Sequence, residues 1–73
     1  MPAIASRAIR EIRYDANARK LFVTFRASGA TYAYFEVPRR VYAELLAAES
    51  AGAFFSHNIR DIFRYEVVSG PRQ

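Results

Sequence analysis

The side chains of this sequence that could do chemistry are aromatic and basic. Tyr32 and Tyr34 stand two residues apart in the stretch Gly29–Pro38, and residues two apart on a strand lie on the same face of a sheet. Bases of single-stranded nucleic acid stack on such rings while Arg and Lys hold the phosphates. The tyrosine pair is therefore the strongest functional candidate. The alternative is that a helix covers this face and both tyrosines belong to the core.

The charge of the chain favours an anionic partner. Eleven basic residues, ten of them Arg, oppose seven acidic ones, which gives a net charge of +4 and a pI near 10.0. Arg binds phosphate through its forked guanidinium and stacks on bases, although a genome biased towards Arg codons would give the same composition. The predicted nucleic-acid-binding residues are Arg13, Lys20, Phe22, Arg26, Tyr32, Tyr34, Arg39, Arg40 and Arg60.

Catalytic and metal chemistry lack their usual residues. His57 is the only histidine and cysteine is absent, whereas a metal site uses three or four well-placed ligands. With one histidine and no glycine-flanked nucleophile elbow, Ser28, Ser50 and Ser56 are interpreted as turn and cap residues. We therefore expect a protein that is not an enzyme and that has no metal and no cofactor.

The length and hydropathy of the chain predict one globular domain. Seventy-three residues allow a single domain, with a core of about residues 6–68 and a tail of residues 69–73. A hydrophobic content of 52% excludes a wholly disordered chain. No apolar run approaches the roughly 20 residues that cross a bilayer, and the N-terminus lacks the layout of a signal peptide. We expect a cytoplasmic protein without membrane contact.

Three antiparallel strands are predicted in the first half of the chain, over residues 6–14, 21–25 and within 29–38. Asp15–Ala18 is predicted as the first turn. The second loop is predicted as Ala27–Gly29, because Gly can take the positive φ that a three-residue hairpin loop requires. Ile9 and Ile12 are three residues apart, so either a β-bulge separates them or they face opposite sides.

The length of the second loop determines which face each strand residue occupies. A three-residue loop pairs Phe25 with Thr31, and a slip of one residue would exchange the two faces. The predicted core face consists of Ile12, Leu21, Val23, Phe25, Phe35 and Val37. The predicted basic, aromatic face consists of Arg13, Lys20, Phe22, Arg26, Tyr32 and Tyr34.

Two helices follow. Pro38 suits the first position of a helix, predicted over Arg39–Glu49. Arg39 and Arg40 oppose the helix dipole there and either bind a phosphate or pair with Glu36 in solvent. Ser50 is the predicted cap of a second helix.

The apolar stripe of that second helix is predicted from helical spacing and consists of Phe55, Ile59, Ile62 and Phe63. Arg60 on this helix either binds phosphate or pairs with Asp61 or Glu66. With Tyr65–Val68 as a short fourth strand, the fold class is α+β: a three-stranded meander followed by two helices.

The order of these residues resembles the KTSC domain, a family named for its place at the C-terminus of some lysyl-tRNA synthetases and found also as free-standing bacterial proteins. The resemblance covers about residues 6–63. Ser56 stands where the family pattern has Asn, and Phe63 where it has Tyr. The residues that carry the resemblance are Ser6, Ile9, Ile12, Tyr14, Leu21, Val23, Phe25, Gly29, Tyr32, Ala33, Tyr34, Val37, Pro38, Val41, Tyr42, Leu45, Ala48, Ser50, Gly52, Phe55, Ile59 and Arg60.

The resemblance implies RNA binding, which has been suggested for the family from its attachment to a synthetase, and it supplies no catalytic residues. Two hypotheses follow. The first is a non-catalytic module that binds tRNA or single-stranded RNA through the aromatic, basic face. The second is a protein-interaction or self-association module that uses an edge strand or the tyrosine face.

Overall fold

A computed structural model describes residues 8–69 of the chain. It contains one antiparallel sheet with the strand order β1–β2–β3–β4 and two helices between β3 and β4. The α+β prediction, with its short fourth strand, is confirmed. Ser69, predicted as the start of the tail, is the last residue of β4. The predicted strand start at Ser6 and residues 70–73 of the predicted tail lie outside the described residues. The elements are β1 (Ile9–Asp15), β2 (Lys20–Phe25), β3 (Thr31–Tyr34), α1 (Arg39–Ala47), α2 (Ala51–Asn58) and β4 (Tyr65–Ser69).

A β-bulge in β1 resolves the spacing of its two isoleucines. Ile9 lies opposite Phe25 and Glu11 lies opposite Thr24, which leaves Arg10 as the extra residue. The bulge turns Ile9, with no exposed surface, towards the same core against which Ile12 packs. The bulge alternative is therefore the correct one.

The β1–β2 turn comprises residues 16–19, because Asp15 lies opposite Lys20. The carboxylate of Asp15 accepts the backbone N–H groups of Asn17 and Ala18 at 3.1 and 3.3 Å, the local bonding typical of Asp in turns. The predicted turn over Asp15–Ala18 places Ile12 opposite Leu21, whereas Ile12 lies opposite Val23, two residues further along β2. A shift of two leaves every side chain on its predicted face.

The β2–β3 loop is one residue longer than predicted. The backbone N–H of Phe25 donates to the carbonyl of Ala30 at 2.9 Å, so the loop comprises residues 26–29. Gly29 has the expected positive φ of 73°. As a result Thr24 lies opposite Thr31 and Val23 opposite Tyr32.

This difference of one residue reverses β3. Tyr32 and Tyr34 turn towards the helices and the core, while Phe35 turns to the face without helices, where it contacts Lys20. The prediction that both tyrosines share the face of Phe22 is wrong, and so is the prediction of Phe35 as a core residue. Because successive side chains of a strand point to opposite faces, both errors follow from the one-residue difference in loop length.

Both helices cover the same face of the sheet. Val41 and Leu45 of α1 and Phe55 of α2 are buried in the core. The predicted cap is confirmed, since the Ser50 hydroxyl accepts the backbone N–H of Ala53 at 3.2 Å. Pro38 is the N-cap of α1 rather than its first helical residue. The helix begins at Arg39, as predicted, and ends at Ala47 rather than Glu49.

The predicted apolar stripe of the second helix holds only in part. Phe55 and Ile59 are buried, but α2 ends at Asn58 and Ile62 is 64% exposed. The chain turns at this point, because the Ile59 carbonyl accepts the N–H groups of Ile62 and Phe63, both at 3.1 Å. Ile62 consequently lies outside the core.

A hydrogen bond ties β1 to the segment before α1. The Tyr14 hydroxyl donates to the carbonyl of Val37 at 2.6 Å. The Tyr14 ring stacks on Tyr42 of α1, with centroids 4.7 Å apart and planes 13° apart.

Neither helix of the described residues is long and apolar enough to cross a membrane.

Candidate nucleic-acid interface

The face of the sheet that the helices leave uncovered carries cations stacked on aromatic rings. The guanidinium carbon of Arg13 lies 5.9 Å from the centroid of Phe22. The ammonium of Lys20 and the guanidinium of Arg64 lie 5.4 and 5.6 Å from the centroid of Phe35. These distances are those of cation–π contacts. We call Arg13, Lys20, Phe22, Phe35 and Arg64 the sheet-face cluster.

Strand pairing positions each member of the cluster. Arg13 lies directly opposite Phe22 in the β1–β2 ladder, and the N–H of Phe35 donates to the Arg64 carbonyl at 2.8 Å beside β3. Ala33 lies opposite Phe22 and is only 3% exposed. Its small side chain forms the floor between the larger groups, so both Phe rings remain half-buried at the surface.

The charges of the sheet-face cluster are not neutralised by neighbours. Glu11 of β1 and Glu66 of β4 share this face in the ladder, but within residues 8–69 no carboxylate lies within ion-pair distance of Arg13, Lys20 or Arg64. The cations therefore remain available to an anionic ligand.

The helix side of the sheet holds a second cluster, built from three tyrosines. Tyr32 and Tyr34 have ring centroids 6.5 Å apart, and each lies 5.4 Å from the centroid of Tyr65. The Tyr34 ring meets Phe55 edge-on at 5.3 Å. Tyr34 is 2% exposed whereas Tyr65 is 50% exposed. The alternative that Tyr34 belongs to the core is therefore the correct one.

These tyrosines line a cleft of about 480 Å³ between the sheet and α2, a volume within the range of small-ligand sites. Arg60 and Asp61 also line it, with Arg60 Nε 3.9 Å from Asp61 Oδ2 and their side chains 58% and 80% exposed. We call it the tyrosine cleft. Its lining comprises Ala8, Ile9, Phe25, Ser28, Tyr32, Tyr34, Gly52, Phe55, Ser56, Arg60, Asp61 and Tyr65.

The Tyr34 hydroxyl stays protonated over an unusually wide pH range. Burial raises the pKa of Tyr34 to about 12, and the nearby phenols of Tyr65 and Tyr32 add to the increase. Loss of solvation disfavours the charged phenolate in such a place. Among the described residues this hydroxyl has no hydrogen-bond partner, so its polar atom must reach the cleft rather than the closed core.

The predicted binding residues consequently fall into separate groups. Arg13, Lys20 and Phe22 lie together on the helix-free face, as predicted. Tyr32, Tyr34 and Arg60 lie instead at the tyrosine cleft. A common surface for the tyrosines and for Arg13, Lys20 and Phe22 is therefore absent, because of the reversal of β3.

The remaining predicted residues lie outside both surfaces. Arg26 is in the β2–β3 loop and donates to the Ile9 carbonyl at 3.5 Å. Arg39 and Arg40 are exposed at the start of α1, whose first turn contains no acidic residue. Their pairing with Glu36 is not observed among the described residues.

Sequence reasoning missed two members of the sheet-face cluster. The three-residue loop predicts Phe35 on the core face, whereas the longer loop places it on the helix-free face. Arg64 follows a turn and precedes β4, so no periodic pattern indicates on which face of the sheet it lies.

Within residues 8–69, no three His, Cys, Asp or Glu side chains come together as a metal site.

Comparison with known proteins gives consistent results. Residues 5–65 match the family model described as the KTSC domain. A protein of Tsukamurella paurometabola is 42% identical over 64 residues, which cover 88% of this chain and 94% of that one. A KTSC domain protein from Yersinia pestis has a crystal structure with a TM-score of 0.86 and 34% identity, covering 93% of this chain and 94% of that one.

A lysine–tRNA ligase of Trichormus variabilis is also similar, with 41% identity over 61 residues. The match covers 84% of this chain but 11% of the ligase. The chain thus corresponds to about a tenth of that enzyme's length.

Proposed function

This chain belongs to the KTSC domain family, and we propose that it is a small non-catalytic module that binds single-stranded RNA on the helix-free face of its sheet. The observation that carries the proposal is the sheet-face cluster, in which two half-buried Phe rings each lie beneath cations that have no carboxylate partner. An open antiparallel sheet with aromatic and basic side chains is a surface on which unpaired bases stack.

Stacking would be provided by Phe22 and Phe35. Phe35 follows Ala33 by two residues on the same face, and Ala33 lies opposite Phe22. Such diagonal neighbours are about 7–8 Å apart, so neighbouring nucleotides can each reach one ring. A base would either replace the cation above the ring or stack on the guanidinium plane of Arg13 or Arg64, since both surfaces accept bases.

Phosphate contacts would be provided by Arg13, by Lys20 and, in the monomer, by Arg64. Two of these are Arg, which binds phosphate with two parallel hydrogen bonds. The similarity to lysine–tRNA ligases, whose name states that they act on tRNA, makes a tRNA segment a natural ligand to test. A cytoplasmic location, which the sequence predicts, is part of this proposal.

Fluorescence anisotropy with a labelled single-stranded RNA and with bulk tRNA as competitor tests the proposal. We expect Phe22→Ala to weaken binding by about 5- to 150-fold, the range for loss of one stacked base. We expect Arg13→Ala to lower the slope of log affinity against log salt by about 0.7, the value for one phosphate of a single strand.

Arg10→Ala is the matched control, because Arg10 is exposed on the same strand but belongs to the bulge and not to the cluster. It removes the same charge from the protein. If Phe22→Ala and Arg13→Ala bind RNA as Arg10→Ala does, in variants that remain folded by circular dichroism, the sheet-face cluster is not an RNA site.

A further inference from the structure

The two edges of the sheet differ in their protection against pairing with another strand. The β1 edge carries the bulge at Arg10 and the charged residues Glu11, Arg13 and Asp15. The β4 strand has a bulge as well, at Val68, so the two edges differ in charge, the other usual means by which an edge avoids pairing. The β4 edge reads Tyr-Glu-Val-Val-Ser, contains one charge, and within residues 8–69 pairs with β3 on one side only.

Exposed apolar side chains are concentrated in and just before this less charged edge strand. Ile62, Tyr65, Val67 and Val68 are 64%, 50%, 53% and 56% exposed. Among residues 8–69 they are the large hydrophobic residues that are exposed, and they fall within seven consecutive positions. Large apolar side chains that are exposed close together in the chain are candidates for an interaction surface.

Among the described residues, no strand pairs with the backbone groups on the outer side of β4. Because the N–H of Phe35 donates to the Arg64 carbonyl, Arg64 and Glu66 direct their backbone groups towards β3. Alternate residues of an antiparallel strand bond to opposite sides. Tyr65 and Val67 therefore direct their N–H and C=O groups to the open edge, where another strand can bind them.

We propose that a second copy of this chain pairs antiparallel with the β4 edge, about a two-fold axis that passes beside Tyr65. Charge selects both the partner and the register. With Tyr65 at the axis, Arg64 lies opposite Glu66 of the second copy, and the symmetry repeats this pair. With Glu66 at the axis, two glutamates would face each other, which is destabilising.

The same register joins the apolar residues of the two copies. Val67 and Val68 of each copy approach residues 62–63 of the other, which removes exposed apolar surface from water on both sides. The axis is perpendicular to the sheet, so the two helix-free faces lie on one side of an eight-stranded sheet. A single strand edge buries less than a standard interface of about 1,600 Å², and the dimer is therefore weak and concentration-dependent.

Analytical ultracentrifugation over the micromolar to millimolar range tests this dimer. We expect the unmodified chain to form dimers, and Val67→Lys to abolish them by placing a cation at the paired edge. Arg64→Glu and Glu66→Arg should each weaken dimerisation by about 2- to 30-fold, since each places like charges opposite each other twice.

The double variant Arg64→Glu/Glu66→Arg exchanges the two charges and should restore dimerisation, which separates the pairing from any loss of folding. Glu11→Arg, on the protected β1 edge, is the matched control and should dimerise as the unmodified chain does. A monomer at every concentration, dimers that persist in Val67→Lys, or a double variant no better than the single ones would each overturn the proposal.

Discussion

The buried phenol of Tyr34 makes the stability of the domain fall at alkaline pH. Tyr34 is 2% exposed and its hydroxyl has no protein partner among the described residues. At neutral pH Tyr34→Phe therefore removes no hydrogen bond, and we expect a change of less than about 0.5 kcal/mol in the free energy of unfolding. The two proteins should differ only where the phenol ionises.

The size of that difference follows from the pKa. Burial raises the pKa of Tyr34 from 10.0 to about 12 in the folded state. The stabilisation is complete below pH 10, where the unfolded chain also keeps the proton, and it is lost as the pH rises through 12. Between these values the folded state binds more protons, so stability falls with pH. Two pKa units correspond to roughly 2–3 kcal/mol.

Urea unfolding of the unmodified chain and of Tyr34→Phe, from pH 8 to pH 12, measures this loss. We expect the unmodified chain to lose roughly 2–3 kcal/mol more than the variant. Subtracting the two curves removes the contribution of all other titrating groups. Tyr42→Phe, outside the tyrosine cleft, is the matched control. Parallel curves for the unmodified chain and Tyr34→Phe would show that the phenol ionises equally in both states, and the argument from burial would be wrong.

Two further predictions concern single hydrogen bonds. Tyr14→Phe removes the 2.6 Å bond to the Val37 carbonyl and should lower the free energy of unfolding by about 1–2 kcal/mol, as measured by urea unfolding. Tyr42→Phe keeps the stacked rings without touching this bond, so equal losses in both variants would contradict this role for the bond. Ser50→Ala removes the cap of α2 and should cost about 0.5–2 kcal/mol, whereas Ser50→Gly, measured by the same thermal melts, should cost only a few tenths.

The parts of the fold with local sequence signals were predictable. The β-branched and aromatic run of β2, the Asp-containing turn and the Ser50 cap each report on a few neighbouring residues, and the structure contains all three. The spacing of Ile9 and Ile12 required either a bulge or opposite faces, and the bulge is present. Local chemistry is enough for such features because it acts over one turn.

Local chemistry could not predict which face of the sheet each β3 residue occupies. Gly29 has positive φ in the observed loop and would also have it in the shorter loop that we expected. Either register of β3 places at least one of Tyr32, Tyr34 and Phe35 on each face of the sheet. Hydrophobic alternation therefore could not choose between the two registers. The choice depends on tertiary packing, in which Tyr34 meets Phe55 of α2.

The prediction of the candidate site was limited in the same way, because part of the site depends on the face assignment of β3. Arg13, Lys20 and Phe22 were placed together correctly because a shift of two residues in the β1–β2 pairing preserves the faces. Phe35 and Arg64 were missed, since the first depends on the register of β3 and the second follows an irregular turn. The end of α2 at Asn58 has no Gly or Pro to mark it, so the exposure of Ile62 was also not visible in the sequence.

The connection between β3 and β4 has a consequence for the order of folding. The first two hairpins close over loops of four residues, but β4 reaches β3 only after the 30 residues from 35 to 64. Closing that longer loop costs about 1.8 kcal/mol more chain entropy. We therefore expect the first three strands to form the early nucleus and β4 to join the sheet late. It should also open first in native-state hydrogen exchange, which makes the strand that bears the open edge the least protected part of the sheet.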